Sequence, residues 1–308
     1  MATTTEPSTH VLDVPGAVIA YDVRASATGT EPALLLIGYP MAAGAFATLA
    51  DHFPDRTVVT CDPRGAERSC RTDQLASTGP QELAQDLHRL IAALGSEPVD
   101  LFASSGGALN ALELVARHPE QVRTLVAHEP PAVALLPDRD AVRRASEAIH
   151  ETYLRRGYGP AMARFIALAS IDGPIPPDLA EMPAPDPSIF GLPGSDDGTR
   201  DDALLAQYLL AIVDYEPDVD ALRGGSTRIV MGVGAASGNQ IAGRGAKAVA
   251  ERLGSAPVTF PGGHDGFLGG ERHPAGQADA FAVTLRTVLD GDDLASSAMP
   301  GAGGDSAE

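Results

Sequence analysis

Basic residues are scarce in this sequence. Its 308 residues include 22 Lys and Arg against 41 Asp and Glu, which gives a formal net charge of −19 at pH 7. An acidic surface repels the phosphate backbone of nucleic acids and the headgroups of anionic membranes. We therefore expect a soluble protein that has no nucleic-acid partner and no membrane partner.

Cysteines and long apolar runs are also scarce. Two cysteines, Cys61 and Cys70, are too few for a disulfide framework. They flank a turn-rich segment, so their pairing stays open, although free thiols fit a reducing cytoplasm better. No apolar stretch is long enough to span a bilayer, and MATTTEPSTH at the start lacks a basic region followed by an apolar run. These features predict a cytoplasmic protein.

Strand-like and helix-like patterns alternate along most of the chain. Strands are predicted at 16–24, 33–38, 56–62, 98–104, 122–131, 227–234 and 257–260, and helices at 44–53, 81–95, 107–119, 243–254 and 277–290. Short apolar runs without a polar face are typical of strands buried on both sides. Alternation of this kind predicts an α/β protein with a mostly parallel central sheet flanked by helices.

Residues 132–225 interrupt the alternation. They contain no convincing buried strand. Helical stretches are predicted at 141–157, 160–170 and 201–215, and a proline-rich loop at 173–194. We predict that 1–131 and 226–290 form the core and that 132–225 is a mainly helical lid inserted into it. The small, polar tail at 291–308 is predicted to be disordered.

One turn carries the strongest chemical signal. Between a predicted strand and a predicted helix, the chain reads Ala103-Ser104-Ser105-Gly106-Gly107. A serine in a sharp strand-to-helix turn needs small residues two positions away on each side, which Ala103 and Gly107 supply. The turn presents the hydroxyl of Ser105 and the backbone N–H of Gly106 to the same point. Ser105 is thus the predicted nucleophile, whereas Ser104 should point elsewhere; an ordinary Ser-Gly turn is the alternative.

With this turn the sequence resembles the α/β-hydrolase fold superfamily, and in particular lid-bearing, esterase-like serine hydrolases of actinobacterial type. The resemblance extends from about residue 12 to residue 290. The segment LLLIGYP (34–40) resembles the family's strand and loop that contribute to the oxyanion hole, with Ile37 in place of the usual histidine. The resemblance implies that the backbone N–H groups of Tyr39 and Gly106 form that hole.

The resemblance also implies a histidine base. The segment PGGHDGF (261–267) follows the last predicted strand, where the family places its catalytic histidine, and His264 matches. A serine hydroxyl is a poor nucleophile at pH 7 unless an adjacent imidazole takes its proton. An ordinary loop histidine is the alternative for His264, and the other seven histidines are interpreted as ordinary.

The acid of the triad is missing from its usual place. The matching position holds Ser237, and no Asp or Glu lies between 221 and 250. In this fold the acid can instead follow the preceding strand, which here ends at Glu129. We therefore predict a Ser105–Glu129–His264 triad.

Other interpretations of the acid stay open. Glu129 next to two prolines would also suit a lid anchor or hinge, and Asp214 in the predicted lid is a remote candidate. Asp265 is a poor candidate because a residue rarely reaches the ring of its own neighbour. A Ser–His dyad without an acid stays open as well, since loss of the acid lowers the rate without abolishing catalysis.

The resemblance implies a serine hydrolase that cleaves a carboxylic ester or lactone through an acyl-enzyme, without a cofactor or metal. Large side chains in the predicted lid are Tyr153, Tyr158, Met162, Phe165, Phe190, Tyr208 and Tyr215. Most should be packing residues and some should line a pocket, which favours an apolar or aromatic acyl substrate. A non-hydrolytic cyclase or acyl transferase, a non-catalytic ligand-binding protein and a homodimeric state all stay open.

Overall fold

The centre of the molecule is a nine-stranded sheet in a computed structural model that describes residues 6–26, 29, 31–75, 77–95, 97–270 and 276–291. The strands are β1 (Ser8–Val14), β2 (Ala17–Arg24), β3 (Leu34–Tyr39), β4 (Val58–Cys61), β5 (Cys70–Arg71), β6 (Val99–Ser105), β7 (Val122–His128), β8 (Arg228–Gly234) and β9 (Val258–Phe260). Their order is β1-β2-β4-β3-β6-β7-β8-β9, with β5 beside β2. Neighbouring strands in the series β4-β3-β6-β7-β8-β9 are parallel, whereas β2 is antiparallel to β1, β4 and β5. The prediction of a mostly parallel sheet is confirmed.

Strands β1 and β5 are absent from the sequence-based prediction. Most β1 side chains are exposed, so the strand has no apolar run, and seven residue pairs with β2 hold it at the sheet edge. Strand β5 has only two residues. Pairing with β2, which the local pattern does not reveal, is what defines both strands.

Helices cover both faces of the sheet. They are α1 (Ala47–Asp51), α2 (Pro80–Leu94), α3 (Gly106–Arg117), α4 (Arg139–Arg156), α5 (Tyr158–Ala169), α6 (Leu209–Val213), α7 (Val219–Gly224), α8 (Ile241–Leu253) and α9 (Ala278–Asp290). Alternate residues of β3 point to opposite faces. Leu35 and Ile37 pack in a cluster with α2, α3 and α8, while Leu34 and Leu36 pack with α1 and α9. Burial on both faces explains the unbroken apolar runs.

The chain between β7 and β8, residues 132–225, is described throughout and contains no strand. We call it the inserted segment. It contains α4 to α7 and a π-helix, Ala203–Tyr208, that leads into α6. Val142, Ile149 and Tyr153 of α4 belong to the same apolar cluster as α2 and α3. The inserted segment therefore packs on the core, and its role as a lid remains a prediction.

Three further expectations concern the cysteines, membrane-spanning helices and the C-terminal tail. Both cysteines are free thiols; Cys61 is buried, which raises its pKa to about 12, and Cys70 is exposed. None of the helices in the described residues has the length and apolar character needed to cross a membrane. The predicted disordered tail at 291–308 lies outside the described residues apart from Gly291.

Candidate active site

Ser105 lies at the junction of β6 and α3 in a rare backbone conformation. Its φ is 58° and its ψ is −130°. Among the described residues, the non-glycine positions with positive φ are Glu67, Ser105 and Glu129. Such conformations cost about 1–3 kcal/mol each and concentrate at functional sites. Two of the three strained positions are thus residues that the sequence analysis assigns to catalysis.

Close packing of β3 against α3 explains the small residues around Ser105. A Cβ atom added to Gly107 would lie 2.7 Å from the Cα atom of Gly38, which is closer than real Cβ atoms approach backbone. Ala103 is fully buried and lies between Ile37 and Ala127 in the sheet. Larger residues at either position would force the turn away from the neighbouring strands.

Glu129 and His264 are in direct contact. The Nδ1 atom of His264 lies 2.7 Å from Oε2 of Glu129, and the backbone N–H of Gly234 donates to Oε1 at 2.8 Å. The Glu129 side chain is fully buried, whereas about a third of the His264 side chain is exposed (32%). Both carboxylate oxygens are therefore held, and the Nδ1 edge of the imidazole meets the carboxylate.

This contact shifts the pKa values of both groups. Burial alone would raise the pKa of Glu129, but the bond from His264 and the nearby imidazole charges outweigh it and lower the value to about 2. Burial alone would lower the pKa of His264, but the bond to Glu129 and its charge raise it. Because Glu129 is ionised, Nδ1 carries the proton and Nε2 is free to accept one.

Ser237, at the position where the family usually has its acid, is buried beside the carboxylate. Its hydroxyl makes only a minor contribution to the low pKa of Glu129. A serine there cannot orient an imidazolium by charge, whereas Glu129 can. The carboxylate in contact with His264 is thus that of Glu129, the predicted acid.

His128 is a buried group that sequence analysis treats as ordinary. Four phenylalanine rings surround it: those of Phe102, Phe260, Phe267 and Phe281. Burial lowers its pKa to about 4, so the ring is neutral at pH 7. Its Nδ1 lies 3.4 Å from the hydroxyl of Ser104, which accordingly does not compete with Ser105. Its Nε2 has no partner within the described residues.

The two predicted oxyanion donors lie next to Ser105, the predicted nucleophile. Tyr39 pairs with Ser105 between β3 and β6, and Gly106 is the first residue of α3, where backbone N–H groups lack partners within the helix. No hydrogen bond joins Ser105 to His264 in the described part of the chain, and such bonds often tighten only when substrate binds. The structure thus joins His264 to Glu129, and Ser105 lies at the same carboxyl-terminal end of the parallel strands as Glu129.

Tyr208 contacts the turn at Ser105. The sequence names Tyr208 only as one of the large side chains of the predicted lid and does not predict this contact. Its hydroxyl donates to the carbonyl of Gly106 at 2.9 Å and lies 2.7 Å from Oδ1 of Asn110. The residues in contact are about a hundred positions apart in sequence, and no local pattern signals their meeting.

Comparisons with known proteins agree with this architecture. The sequence model of the alpha/beta hydrolase fold family matches residues 32–176. The chain is 30% identical over 263 residues to the uncharacterized hydrolase YraK of Bacillus subtilis (strain 168), across 83% of this chain and 89% of that protein.

Solved structures show the same fold. A thermophilic esterase from Thermogutta terrifontis superposes with a TM-score of 0.64 at 18% identity, covering 93% of this chain and 99% of the esterase. An enzyme that degrades N-acyl homoserine lactones superposes with a TM-score of 0.61 at 18% identity, covering 90% of this chain and 99% of that enzyme. The sequence matches and the shared architecture together show that the chain belongs to the alpha/beta hydrolase fold family, as a hydrolase of that fold.

Proposed function

We propose that this protein hydrolyses carboxylic esters or lactones through an acyl-enzyme on Ser105. The contact between His264 Nδ1 and Glu129 Oε2, at 2.7 Å, is the observation that carries the proposal. The contact raises the pKa of His264, as a base requires, while Ser105 occupies a strained strand-to-helix turn, as a nucleophile of this fold does. A serine–histidine–carboxylate arrangement of this kind serves acyl transfer on several unrelated folds.

The proposed reaction has two halves. In the first, the Oγ–H proton of Ser105 moves to Nε2 of His264 while Oγ forms a bond to the substrate carbonyl carbon. The carbonyl oxygen becomes an oxyanion that the N–H groups of Tyr39 and Gly106 bind. Collapse breaks the ester C–O bond, and His264 returns the proton to the leaving alcohol. In the second half, water repeats the sequence on the acyl-enzyme and releases the acid and Ser105.

The large side chains of the inserted segment bear on the substrate class. Tyr153, Tyr208 and Tyr215 are buried and hydrogen-bonded, while Phe190 is exposed. Those that pack partly buried against the core are Tyr158, Met162 and Phe165. Packing is thus the main role of the group, as the sequence analysis expects. Apolar and aromatic side chains in the inserted segment favour an acyl group that is itself apolar, and this forms the finer part of the proposal.

The test is hydrolysis of p-nitrophenyl esters with short and medium acyl chains, together with simple lactones. We expect Ser105→Ala and His264→Ala to lose at least about 10³-fold in kcat, and Glu129→Gln to lose roughly 10²–10⁴-fold. Matched controls are Ser104→Ala, which removes the adjacent hydroxyl, and Asp265→Asn, which removes the exposed carboxylate next to His264. Both should stay near the wild-type rate.

Covalent labelling with a fluorophosphonate separates the outcomes. Labelling of Ser105 in the wild type, lost in His264→Ala, supports an activated serine. A wild type that hydrolyses none of these substrates and is not labelled contradicts the proposed function. Wild-type rates in Glu129→Gln would instead remove only the acid from the proposed triad.

A further inference from the structure

Two tyrosines link the inserted segment to the site. The Tyr39 hydroxyl, from β3, donates to the carbonyl of Ala203 at 3.0 Å. The Tyr208 hydroxyl, from the inserted segment, donates in the opposite direction to the carbonyl of Gly106 at 2.9 Å. The two rings contact each other, with centroids 4.1 Å apart. Each residue that is proposed to bind the oxyanion is thus tied to the inserted segment.

Both ties reach the same short element. Ala203 and Tyr208 are the first and last residues of the π-helix. π-Helices are rare, occur mostly as single turns within α-helices, and frequently lie at functional sites. The element is held from its other side as well, because the backbone N–H of Thr78 donates to the carbonyl of Gln207 at 3.0 Å. One turn of helix therefore connects the inserted segment to both residues that are proposed to bind the oxyanion.

Burial makes these bonds hard to replace. The exposed fraction is 2% for Tyr39 and 0% for Tyr208, so water has no access to take over either hydroxyl's role. A Cβ atom on Gly106 would lie 2.7 Å from Cε1 of Tyr208, which shows how closely the ring covers the turn. A strained backbone persists only where its surroundings fix it, and Tyr208 bonds to the residue directly after the strained Ser105.

We propose that Tyr208, with the Tyr39 hydroxyl as its counterpart, is a positioning residue that fixes the oxyanion hole through the π-helix. This inference rests on the proposed function. The inserted segment then does more than cover substrate: its π-helix must be docked for the N–H groups of Gly106 and Tyr39 to lie at the right distance from the reacting oxygen. Displacements of a fraction of an ångström matter there because such donors act through short, preorganised bonds.

The test compares three conservative variants. Tyr208→Phe removes the hydroxyl contacts with Gly106 and Asn110, and Tyr39→Phe removes the hydroxyl bond to Ala203. Tyr215→Phe is the matched control, since the Tyr215 hydroxyl also joins the inserted segment to α3, at Glu113 (2.9 Å), two helical turns from Gly106. All three lose a buried hydroxyl, so a purely structural effect should be similar in each.

Three readouts report on the oxyanion hole and the backbone around it. We expect kcat for the best p-nitrophenyl ester to fall roughly 10- to 100-fold in Tyr208→Phe, with KM little changed. The Ki of a trifluoromethyl ketone with the same acyl chain, which forms a tetrahedral oxyanion on Ser105, should rise by the same factor. Hydrogen exchange of residues 39–46 and 104–110 should accelerate in Tyr208→Phe but not in Tyr215→Phe.

Failure of this inference and failure of the proposed function give different results. If Tyr208→Phe and Tyr215→Phe lose only thermal stability, and both keep the wild-type kcat and Ki, the inference is wrong and the esterase proposal stands. If the wild type neither hydrolyses esters nor reacts with a fluorophosphonate, the proposed function fails first and the inference falls with it. A rise in Ki confined to the Tyr208 and Tyr39 variants supports both.

Discussion

Glu129 shows how one residue can satisfy geometry and charge together. Its backbone is strained (φ 50°), its side chain is fully buried, and both its oxygens accept hydrogen bonds. A buried carboxylate is costly unless paired and hydrogen-bonded. Here the partners are a backbone N–H and an imidazole, so the carboxylate stays ionised and holds His264 in the tautomer that a base requires.

The raised pKa of His264 makes a prediction about pH. The base must be neutral, so kcat/KM should rise with pH through an apparent pKa above the ordinary 6.5 of histidine and then level off. In Glu129→Gln the main influence that raises this pKa, the charged Glu129 carboxylate, is gone, while burial, which lowers it, remains. The acid limb of the profile should therefore move to lower pH, with a lower plateau.

Asp265→Asn is the control for this profile, because Asp265 contributes only a weak raising effect on the His264 pKa. Its acid limb should move much less than that of Glu129→Gln. An unmoved limb in Glu129→Gln would show that Glu129 does not set the ionisation of the base. The measurement is kcat/KM for one p-nitrophenyl ester between pH 5 and 9, at constant ionic strength.

At the scale of elements, the site depends on how β3 crosses α3. The apolar runs and the glycine-rich turn indicate both elements from local sequence alone, and the fold class follows from their alternation. The close approach of Gly38 to Gly107 does not follow from either pattern. It depends on the packing of α3 on β3, which brings together two glycines 69 positions apart (107 − 38), and only the assembled fold defines it.

Gly107→Ala tests that crossing. Alanine favours a helix over glycine by about 1 kcal/mol, but its Cβ would meet the Gly38 backbone at 2.7 Å. Backbone cannot rotate away as a side chain can, so we expect steric cost to prevail, with a net destabilisation of about 1–3 kcal/mol and reduced kcat. The measurement is thermal unfolding at one scan rate, alongside ester hydrolysis.

Gly44→Ala provides the comparison. Gly44 lies in a short 3₁₀-helix, is exposed, and has nothing within 4 Å of an added Cβ. That substitution should be neutral or stabilising by about 0.4–1 kcal/mol, through a less flexible unfolded chain. Equal stability of the Gly107 and Gly44 variants would mean that α3 shifts freely on β3.

At the scale of the molecule, the sequence predicts the parts of the site better than their connections. Ser105 and His264 follow from local motifs in the expected chain order, and Glu129 follows from the end of a strand. The partners that fix them do not. Gly234 lies 105 positions from Glu129, and Tyr208 lies 102 positions from Gly106. Such contacts arise from the tertiary packing of the inserted segment and the sheet, which local periodicity does not encode.

Net charge gives a last prediction for the whole molecule. A charge of −19 means that repulsion among carboxylates exceeds the attraction that 22 basic residues provide. Salt shortens the Debye length from about 30 Å at 0.01 M to about 3 Å at 1 M, which screens exposed charges but hardly affects the buried pair of Arg56 and Asp100. We therefore expect the Tm at pH 7.5 to rise with NaCl, by about 2 °C for each 1 kcal/mol of relieved repulsion.

The same titration near pH 4.7, the sequence pI, is the control for this salt effect. With the net charge close to zero, repulsion is largely removed and surface ion pairs such as Arg286–Asp55 remain to be screened. Salt should then leave the Tm unchanged or lower it slightly. A Tm that falls with NaCl at pH 7.5 would contradict the prediction, because it would show that the attraction within ion pairs outweighs the repulsion of the excess carboxylates. Opposite signs at the two pH values would identify the excess of carboxylates as the source of the salt dependence.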